Sequence, residues 1–382
     1  MDLTLTDAQQ SASEVARQFA QEELKPIAEK IDEEAKIDKE TIKKMGETNL
    51  FGLALSENFD GLGLGCVSYV LAMEELAAVS PSVAIMLAHH TMASFMIQAF
   101  GNNSIKQKTL SDLSQGDAIG VCTISEPSGG CNIIPTKITG EKTKNGFKVS
   151  GNLVFGSNAM IGDYFVIPFK TGAEPGPQSV TMGVVEKERD GFVVGQRENT
   201  LGLKGDEVGE LVFDNCYIPE ENILGKVNRG MEVIMGGGAW GHLGVAATAV
   251  GASKACLELS KNYAKERKPF GHPIAEEQVI QTYVSEMNIS IEAAHQLLLK
   301  TAWEVDQGQA DEKDIWSADV HCKELAKKVV DKTQSIYAAH GYTKDYPVER
   351  FARDMQGLMY IHGTTEFLKI FLGKMEMEIP LF

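Results

Sequence analysis

The stretch HGYTKDYPVERFARDMQGLMYIHGTTEF, His340 to Phe367, decides how the rest of this sequence is interpreted. Pro347 suits the first turn of a helix, and apolar residues three to four apart between 348 and 359 predict one buried helix face. Gly363 ends that helix, and the threonines after it can cap a new one. The new helix start has free backbone N–H groups, which can hold a carbonyl oxygen or a phosphate. The residues alone also allow an ordinary turn between two packed helices.

Composition and charge narrow the class of protein. The chain of 382 residues is long enough for a large core and two or three domains. Hydrophobic residues make up 43% of it and charged residues 23%, which is typical of soluble globular proteins. The formal net charge of -17 at pH 7 argues against nucleic acid or an anionic membrane as the main partner, and otherwise favours solubility.

Targeting, metal and membrane signals are weak in this sequence. The six cysteines are scattered, without C-x-x-C or metal-ligand spacing, which predicts reduced thiols and no metal site. The polar start MDLTLTDAQQ lacks a signal segment, so we expect a cytoplasmic protein, although a mature organellar form would look the same. Residues 233–252 are apolar, but glycines and His242 interrupt them, which predicts close helix packing rather than a membrane span.

Periodicity divides the chain into three regions. Residues 1–118 read as helices, and residues 119–226 contain short β-rich runs separated by Gly, Asn, Asp and Pro turns. In residues 227–382, long helical patterns lie at about 229–264, 274–308 and 313–339. We therefore predict an α+β multidomain fold with an N-terminal α-helical domain, a small middle β-barrel or sandwich domain and a C-terminal four-helix bundle.

The C-terminal stretch resembles the signature of the acyl-CoA dehydrogenases, in which GYGYTREYPVER..RD is followed by YEGTSE. The helical, β, helical order is also that of this family, so the resemblance covers nearly the whole chain. It implies an FAD-dependent enzyme in which a carboxylate removes the α-proton of an acyl-CoA thioester while a hydride passes to flavin N5. It also implies a homotetramer that passes electrons to an electron-transfer flavoprotein.

Two segments of the middle region resemble flavin-contacting segments of the family. TISEPSGGC, which starts at Thr123, resembles VTEPGAGS, and this implies that Ile124 and Ser125 contact the isoalloxazine ring. FGSN falls on W-I-T-N, which implies that Phe155 covers one flavin face and that Ser157 can donate a hydrogen bond near N5 and O4. Without the resemblance, these are a surface turn and a core aromatic in a strand.

Further cofactor positions follow from the C-terminal region. YAKERKPFGHPI matches YAxxRxxFGxPI, which implies that Arg267 and Phe270 bind the FAD of a neighbouring subunit, with Gln278 close by. SIYAAHGY lies on QIHGGYGY, with a serine and two alanines in place of the family's glutamine and glycines. The remaining cofactor positions implied by the resemblance are Ser335, Ala338, Ala339, Thr364 and Glu366.

The substrate positions implied by the resemblance are Cys131, His242 and Gly363. Cys131 stands where the family usually has a serine near the CoA pyrophosphate, so that hydrogen bond is weakened or lost.

Neither position of the family's catalytic glutamate carries a carboxylate in this chain. The usual position falls on His362 and the alternative position on Gly241. Ala239 and His242 replace the aspartate and arginine that accompany the alternative glutamate. In the family, the backbone N–H of the residue at the glutamate position helps to polarise the thioester carbonyl. The resemblance implies that the N–H of residue 362 can still do this, although the side chain at that position has changed.

Three hypotheses follow for the proton. Neutral His362 can be the base, since an unperturbed imidazole titrates near pH ~6.5. Alternatively, His89 or His90, whose helix resembles the one that floors the family's acyl pocket, removes a γ-proton from a cyclic or unsaturated acyl-CoA. Or no base is needed, as in relatives that expel a sulfinate or a carboxylate. Each histidine can also be an ordinary core or surface residue.

We therefore predict the desaturation of an unusual acyl-CoA, such as an alicyclic or unsaturated one. The alternatives are a flavoenzyme of the same fold that catalyses a non-oxidative elimination, of desulfination or decarboxylation type, and a catalytically silent acyl-CoA-binding homologue.

Overall fold

The computed structural model describes residues 4–130, 137–172 and 176–380. The first region is helical because apolar residues recur at helical spacing and capping residues mark the helix starts. Thr6, for example, accepts the N–H of Gln9, and the Gln9 side chain accepts the N–H of Thr6 in return. The helices of this region are α1 (Asp7–Phe19), α2 (Ala28–Glu34), α3 (Lys39–Glu47), α4 (Gly65–Ala77), α5 (Pro81–Phe100) and α6 (Asn103–Gln115).

The middle region is β-structured, as predicted. Its strands are β1 (Gly120–Cys122), β2 (Thr139–Lys142), β3 (Gly146–Gly156), β4 (Tyr164–Lys170), β5 (Val180–Glu186), β6 (Phe192–Arg197), β7 (Gly209–Pro219) and β8 (Ile223–Leu224). They form one hydrogen-bonded sheet in the order β6-β7-β3-β2-β4-β5-β8, with β1 beside β4. The long antiparallel pair β3–β7 shifts register between Leu153 and Gly156. Phe155 lies in this irregularity with a φ of 56°, and its side chain is exposed.

The third region is again helical. Its helices are α7 (Gly230–Glu266), α8 (Gln278–Asp306), α9 (Glu312–Tyr337), α10 (Val348–Leu358) and α11 (Thr365–Glu376). The predicted close packing of α7 is confirmed. A Cβ at Gly237 would lie 2.1 Å from Met96 Cγ on α5, and one at Gly244 would lie 2.2 Å from the hydroxyl oxygen of Tyr69 on α4. The glycines therefore let side chains of α4 and α5 pack directly against the backbone of α7.

Helices α5 and α7 are long and apolar enough to cross a membrane. However, 78% and 67% of their apolar windows are buried inside the protein. Buried core helices also have this composition, so the two helices are weak evidence for a membrane span.

Helix α10 joins all three regions. Arg353 donates to both carboxylate oxygens of Asp32, at 2.8 and 2.7 Å, and so fastens α2 to α10. The neighbouring Asp354 accepts the N–H of Leu203 at 2.6 Å, which fastens the turn between β6 and β7 to the same helix. The predicted helical, β, helical fold class is therefore confirmed, and the C-terminal signature holds its three parts together.

Candidate active site

His362 lies in the turn between α10 and α11. The predicted helix break and cap are both present: Gly363 has a φ of 95°, and Thr364 Oγ1 accepts the N–H of Phe367 at 3.1 Å. His362 itself has a φ of 54°, a left-handed conformation that is uncommon for a residue with a side chain. The turn therefore holds the imidazole in an unusual, fixed direction.

The imidazole of His362 faces inward. Both ring nitrogens are buried and have no hydrogen-bond partner among the described residues. The ring centroid lies 4.9 Å from that of His89 on α5 and 5.1 Å from that of His242 on α7. Burial lowers the pKa of His362 well below its ordinary value, and the charges of His89, His242 and Lys323 act in the same direction. The imidazole is therefore neutral at neutral pH.

The ring of His362 packs against Gly241, the residue on which the family's alternative glutamate position falls by resemblance. A Cβ at Gly241 would lie 2.5 Å from His362 Cε1 and 3.0 Å from its Nε2. The same Cβ would lie 2.5 Å from Met92 Sδ. A side chain at residue 241 would need the space that the imidazole occupies, so the ring would have to shift to admit one.

His242 is held by a buried ion pair. Its Nδ1 lies 2.7 Å from Asp319 Oδ2, and Lys323 Nζ donates to the same oxygen at 2.9 Å. The side chains of Asp319 and Lys323 are fully buried. Lys323 Nζ also donates to the carbonyl of Ile361 at 2.7 Å, so this network reaches the residue before His362. Asp319 is thus hydrogen-bonded to one member of a cluster of three histidines, His89, His242 and His362.

The sequence analysis missed Asp319 and Lys323. They stand four residues apart on the helix predicted at 313–339, on the face that also carries Ala318 and Cys322. A pair of opposite charges on an apolar helix face is the signal that could have found them, since buried charges occur mainly as pairs.

The two histidines of α5 have different surroundings. His89 Nδ1 donates to the carbonyl of Ile85 at 3.0 Å, and burial lowers its pKa to about 4. His90 Nδ1 accepts the N–H of Gly120 at 3.2 Å, and its Nε2 lies 3.4 Å from Ser94 Oγ. Burial lowers the pKa of His90 to about 3. Both ring nitrogens of His90 therefore have a polar neighbour, and the bond to Gly120 connects α5 to β1. The ring of His89 instead packs against that of His362.

The structure brings the middle-region cofactor positions together. The N–H of Val154 donates to the carbonyl of Ser125 at 2.8 Å, and Thr123 Oγ1 donates to the carbonyl of Val154 at 3.0 Å. The loop that carries Ile124 and Ser125 therefore lies directly beside Phe155, whose side chain is 61% exposed. A single edge of the β domain thus presents all three residues.

Ser157 lies just behind this edge. Its side chain is buried, and its hydroxyl oxygen lies 2.7 Å from Asp206 Oδ2, within hydrogen-bond distance. Asp206 lies in the turn between β6 and β7.

The remaining predicted positions lie mainly on the surface. Arg267, Phe270 and Gln278 are exposed around the turn between α7 and α8, and Phe270 is 81% exposed. Ser335 donates to the carbonyl of Asp331 on the same helix. Three further residues that the resemblance implies for the cofactor are also exposed: Ala338, Ala339 and Glu366. Cys131 lies outside the described residues.

The residues at this edge of the β domain are compatible with a flavin. An exposed aromatic ring, an adjoining loop and a hydroxyl just behind them fit a flat, largely apolar group with polar atoms on its rim. Within the described ranges, no group of three or more His, Cys, Asp or Glu side chains could hold a metal ion.

The fold is that of a class of flavin oxidoreductases. The chain matches the family models for the acyl-CoA dehydrogenase N-terminal domain at residues 6–117, the middle domain at 122–216 and the C-terminal domain at 228–376. It is 34% identical over 375 residues to the mitochondrial isovaleryl-CoA dehydrogenase of Solanum tuberosum, which covers 97% of this chain and 91% of that relative. The chain belongs to the acyl-CoA dehydrogenase family.

Solved structures agree with this assignment. Butyryl-CoA dehydrogenase from Megasphaera elsdenii superimposes with a TM-score of 0.96 at 29% identity, covering 99% of this chain and 100% of that one. PigA, solved with FAD and proline, superimposes with a TM-score of 0.94 at 25% identity, covering 99% of this chain and 100% of that one. The predicted family and enzyme class are therefore confirmed.

Proposed function

We propose that this protein desaturates an acyl-CoA with bound FAD and that His362 accepts the α-proton. The observation that carries the proposal is the imidazole of His362, whose two buried nitrogens have no hydrogen-bond partner in the described part of the chain. By resemblance, this residue stands at the position of the family's glutamate. A buried polar atom without a partner is unfavourable, so a ligand that supplies one is favoured at this place.

FAD, when bound, supplies the acceptor for the hydride that leaves the β-carbon. The chain does the remaining work. Neutral His362 can take the α-proton because its lowered pKa keeps a nitrogen lone pair free at neutral pH. The backbone N–H of the same residue is the proposed donor to the thioester carbonyl, where negative charge grows as the proton leaves. That negative charge, close to the newly charged imidazole, offsets the penalty of charging a buried ring.

Asp319 and Lys323 hold the groups next to His362 in place. His242 uses Nδ1 to reach Asp319, so its Nε2 is the nitrogen left for a ligand or a second proton. Lys323 fixes the carbonyl of Ile361 and with it the peptide that presents His362. His89, whose ring centroid lies 4.9 Å from that of His362, is the proposed base in the alternative route, in which a γ-proton leaves a cyclic or unsaturated acyl chain.

Cofactor and partners follow from the family. We infer that Ile124, Ser125, Phe155 and Ser157 border the flavin. The complex of the similar protein PigA with FAD supports this inference. Exposed Arg267 and Phe270, with Gln278, then bind the FAD of a second copy within a homotetramer. We further infer an electron-transfer flavoprotein as electron acceptor, a cytoplasmic location and an unusual acyl-CoA as substrate.

The experiment is an anaerobic titration of the purified yellow protein with straight, branched and cyclic acyl-CoAs. Bleaching of the flavin by one of them is the expected result. Turnover without bleaching would instead identify an elimination, and a spectral shift with neither would identify a binding protein. A preparation that never retains flavin would contradict the proposal as a whole.

A further inference from the structure

A buried carboxyl group lies directly behind the proposed flavin edge. Asp206, in the turn between β6 and β7, is 2% exposed, and its Oδ2 lies 2.7 Å from Ser157 Oγ. Its other oxygen, Oδ1, is buried without a hydrogen-bond partner among the described residues. The N–H of Asn158 donates to the backbone carbonyl of Asp206 at 2.9 Å, so the strand end and the turn are fixed to each other.

Among the described residues, the charge that acts on the Asp206 carboxyl group is that of Glu207, which has the same sign. The adjoining Gly205 lies close to Ile31 and Ile37 from the N-terminal region and to Ser82 from α5. Arg197, on β6, donates to the carbonyl of Lys204 at 3.1 Å and lies 3.9 Å from Glu207. An ionised carboxyl group in such a place is strongly disfavoured.

The proton on this carboxyl group follows from its environment. Burial raises the pKa of Asp206 to about 8; the Ser157 and Asn158 hydrogen bonds oppose the rise, and the charge of Glu207 adds to it. At pH 7 the group is therefore mainly neutral and can donate a hydrogen bond itself.

The protonation state of Asp206 decides what Ser157 can do. A hydroxyl has one hydrogen and can accept as well as donate. When Asp206 is ionised, Ser157 must spend its hydrogen on the carboxylate. When Asp206 is neutral, its own O–H donates to Ser157 Oγ, and the serine hydrogen is free to point past Phe155 to the ligand side.

We propose that Asp206 is a positioning residue that directs the hydroxyl hydrogen of Ser157 toward the flavin. This inference rests on the proposed function, because it places a flavin at the edge formed by Phe155 and the 123–125 loop. A donor at this point stabilises negative charge on the ring system, so Asp206 tunes how readily the bound flavin accepts electrons.

The test uses the full-length holoprotein and two variants. Asp206→Asn replaces the acid with an amide that donates to Ser157 at every pH, and Ser157→Ala removes the hydroxyl. The midpoint potential of the bound flavin is measured from pH 6 to pH 9.5 by spectroelectrochemistry. We expect the wild-type curve to change slope near pH 8 and Asp206→Asn to lack that change, and we expect Ser157→Ala, which has no hydroxyl to donate, to have a lower potential than the wild type at pH 6. A slope change that persists in Asp206→Asn would overturn the inference.

An infrared measurement on the protein without flavin gives a second readout. At pH 7 the wild type should show the band of a protonated carboxyl group that Asp206→Asn lacks, and the band should decline as the pH rises through about 8. Identical spectra would overturn the inference and would leave the proposed function standing. A protein that shows the band but never binds flavin would contradict the proposed function instead.

Discussion

The imidazole of His362 occupies the space that a side chain at Gly241 would need, with His362 Cε1 only 2.5 Å from the position of a Cβ. These are the two positions at which the family signature places its catalytic glutamate. The imidazole therefore lies between these two positions. The absence of a side chain at residue 241 leaves the space that the ring at residue 362 occupies.

Gly241→Ala should destabilise the protein by about 1–3 kcal/mol, because the added methyl group overlaps the imidazole and Met92 Sδ. The matched control is Gly238→Ala on the same helix, where a Cβ meets nothing within 4 Å. The control should be neutral or more stable by up to about 1 kcal/mol. Urea unfolding of both variants measures the difference.

The double variant Gly241→Ala/His362→Ala completes this comparison. If the imidazole causes the clash, the double variant recovers part of the stability that the glycine substitution loses. Fully additive losses would show that the ring of His362 does not lie against α7.

Lys323→Met should lower the free energy of unfolding by about 3–5 kcal/mol, because it leaves Asp319 buried without its cationic partner. The control is Lys327→Met, one turn further along α9, where the side chain is exposed. That change should stay within about 0.5 kcal/mol of the wild type. Equal effects of the two substitutions, measured by chemical denaturation, would contradict a buried ion pair at this place.

Asp32→Asn tests how α2 is fastened to α10. Burial alone would raise the pKa of Asp32, but the hydrogen bonds and charge of Arg353 prevail and lower it. The folded-state pKa is thus depressed, so the stabilisation is present above the unfolded-state value and is lost as the pH falls through the folded-state value. Wild type should exceed Asp32→Asn by about 2 kcal/mol at pH 7, and the gap should close below about pH 4.

The control for this series is Glu33→Gln, an exposed neighbour on α2. It should follow the wild-type stability curve from pH 7 down to pH 3. A gap between wild type and Asp32→Asn that stays constant to pH 3 would contradict the assigned role of the Asp32–Arg353 pair.

The elements of this fold were predictable from local pattern. Gly363 and Thr364 mark a helix break and a cap, and the structure has both, because backbone freedom and side-chain capping are properties of neighbouring residues. The glycines of α7 likewise predict close helix packing from the sequence alone, and the structure shows this packing.

The site was only partly predictable. The resemblance directs attention to His362 and His242, but the partners Asp319 and Lys323 become visible only when α9 is packed against α7. Asp206 and Ser157 are 49 residues apart in sequence and meet through the turn between β6 and β7. Contacts of this kind depend on tertiary packing, which periodicity and spacing do not encode.

The central claim is that the imidazole of His362 accepts the proton during flavin reduction. The most direct measurement is the anaerobic rate at which an oxidisable acyl-CoA bleaches the flavin of His362→Ala, with His321→Ala on the exposed side of α9 as the control. We predict a rate at least about 100-fold below the wild type for His362→Ala, with ligand binding retained, and an unchanged rate for the control. Bleaching of His362→Ala at the wild-type rate would contradict the claim.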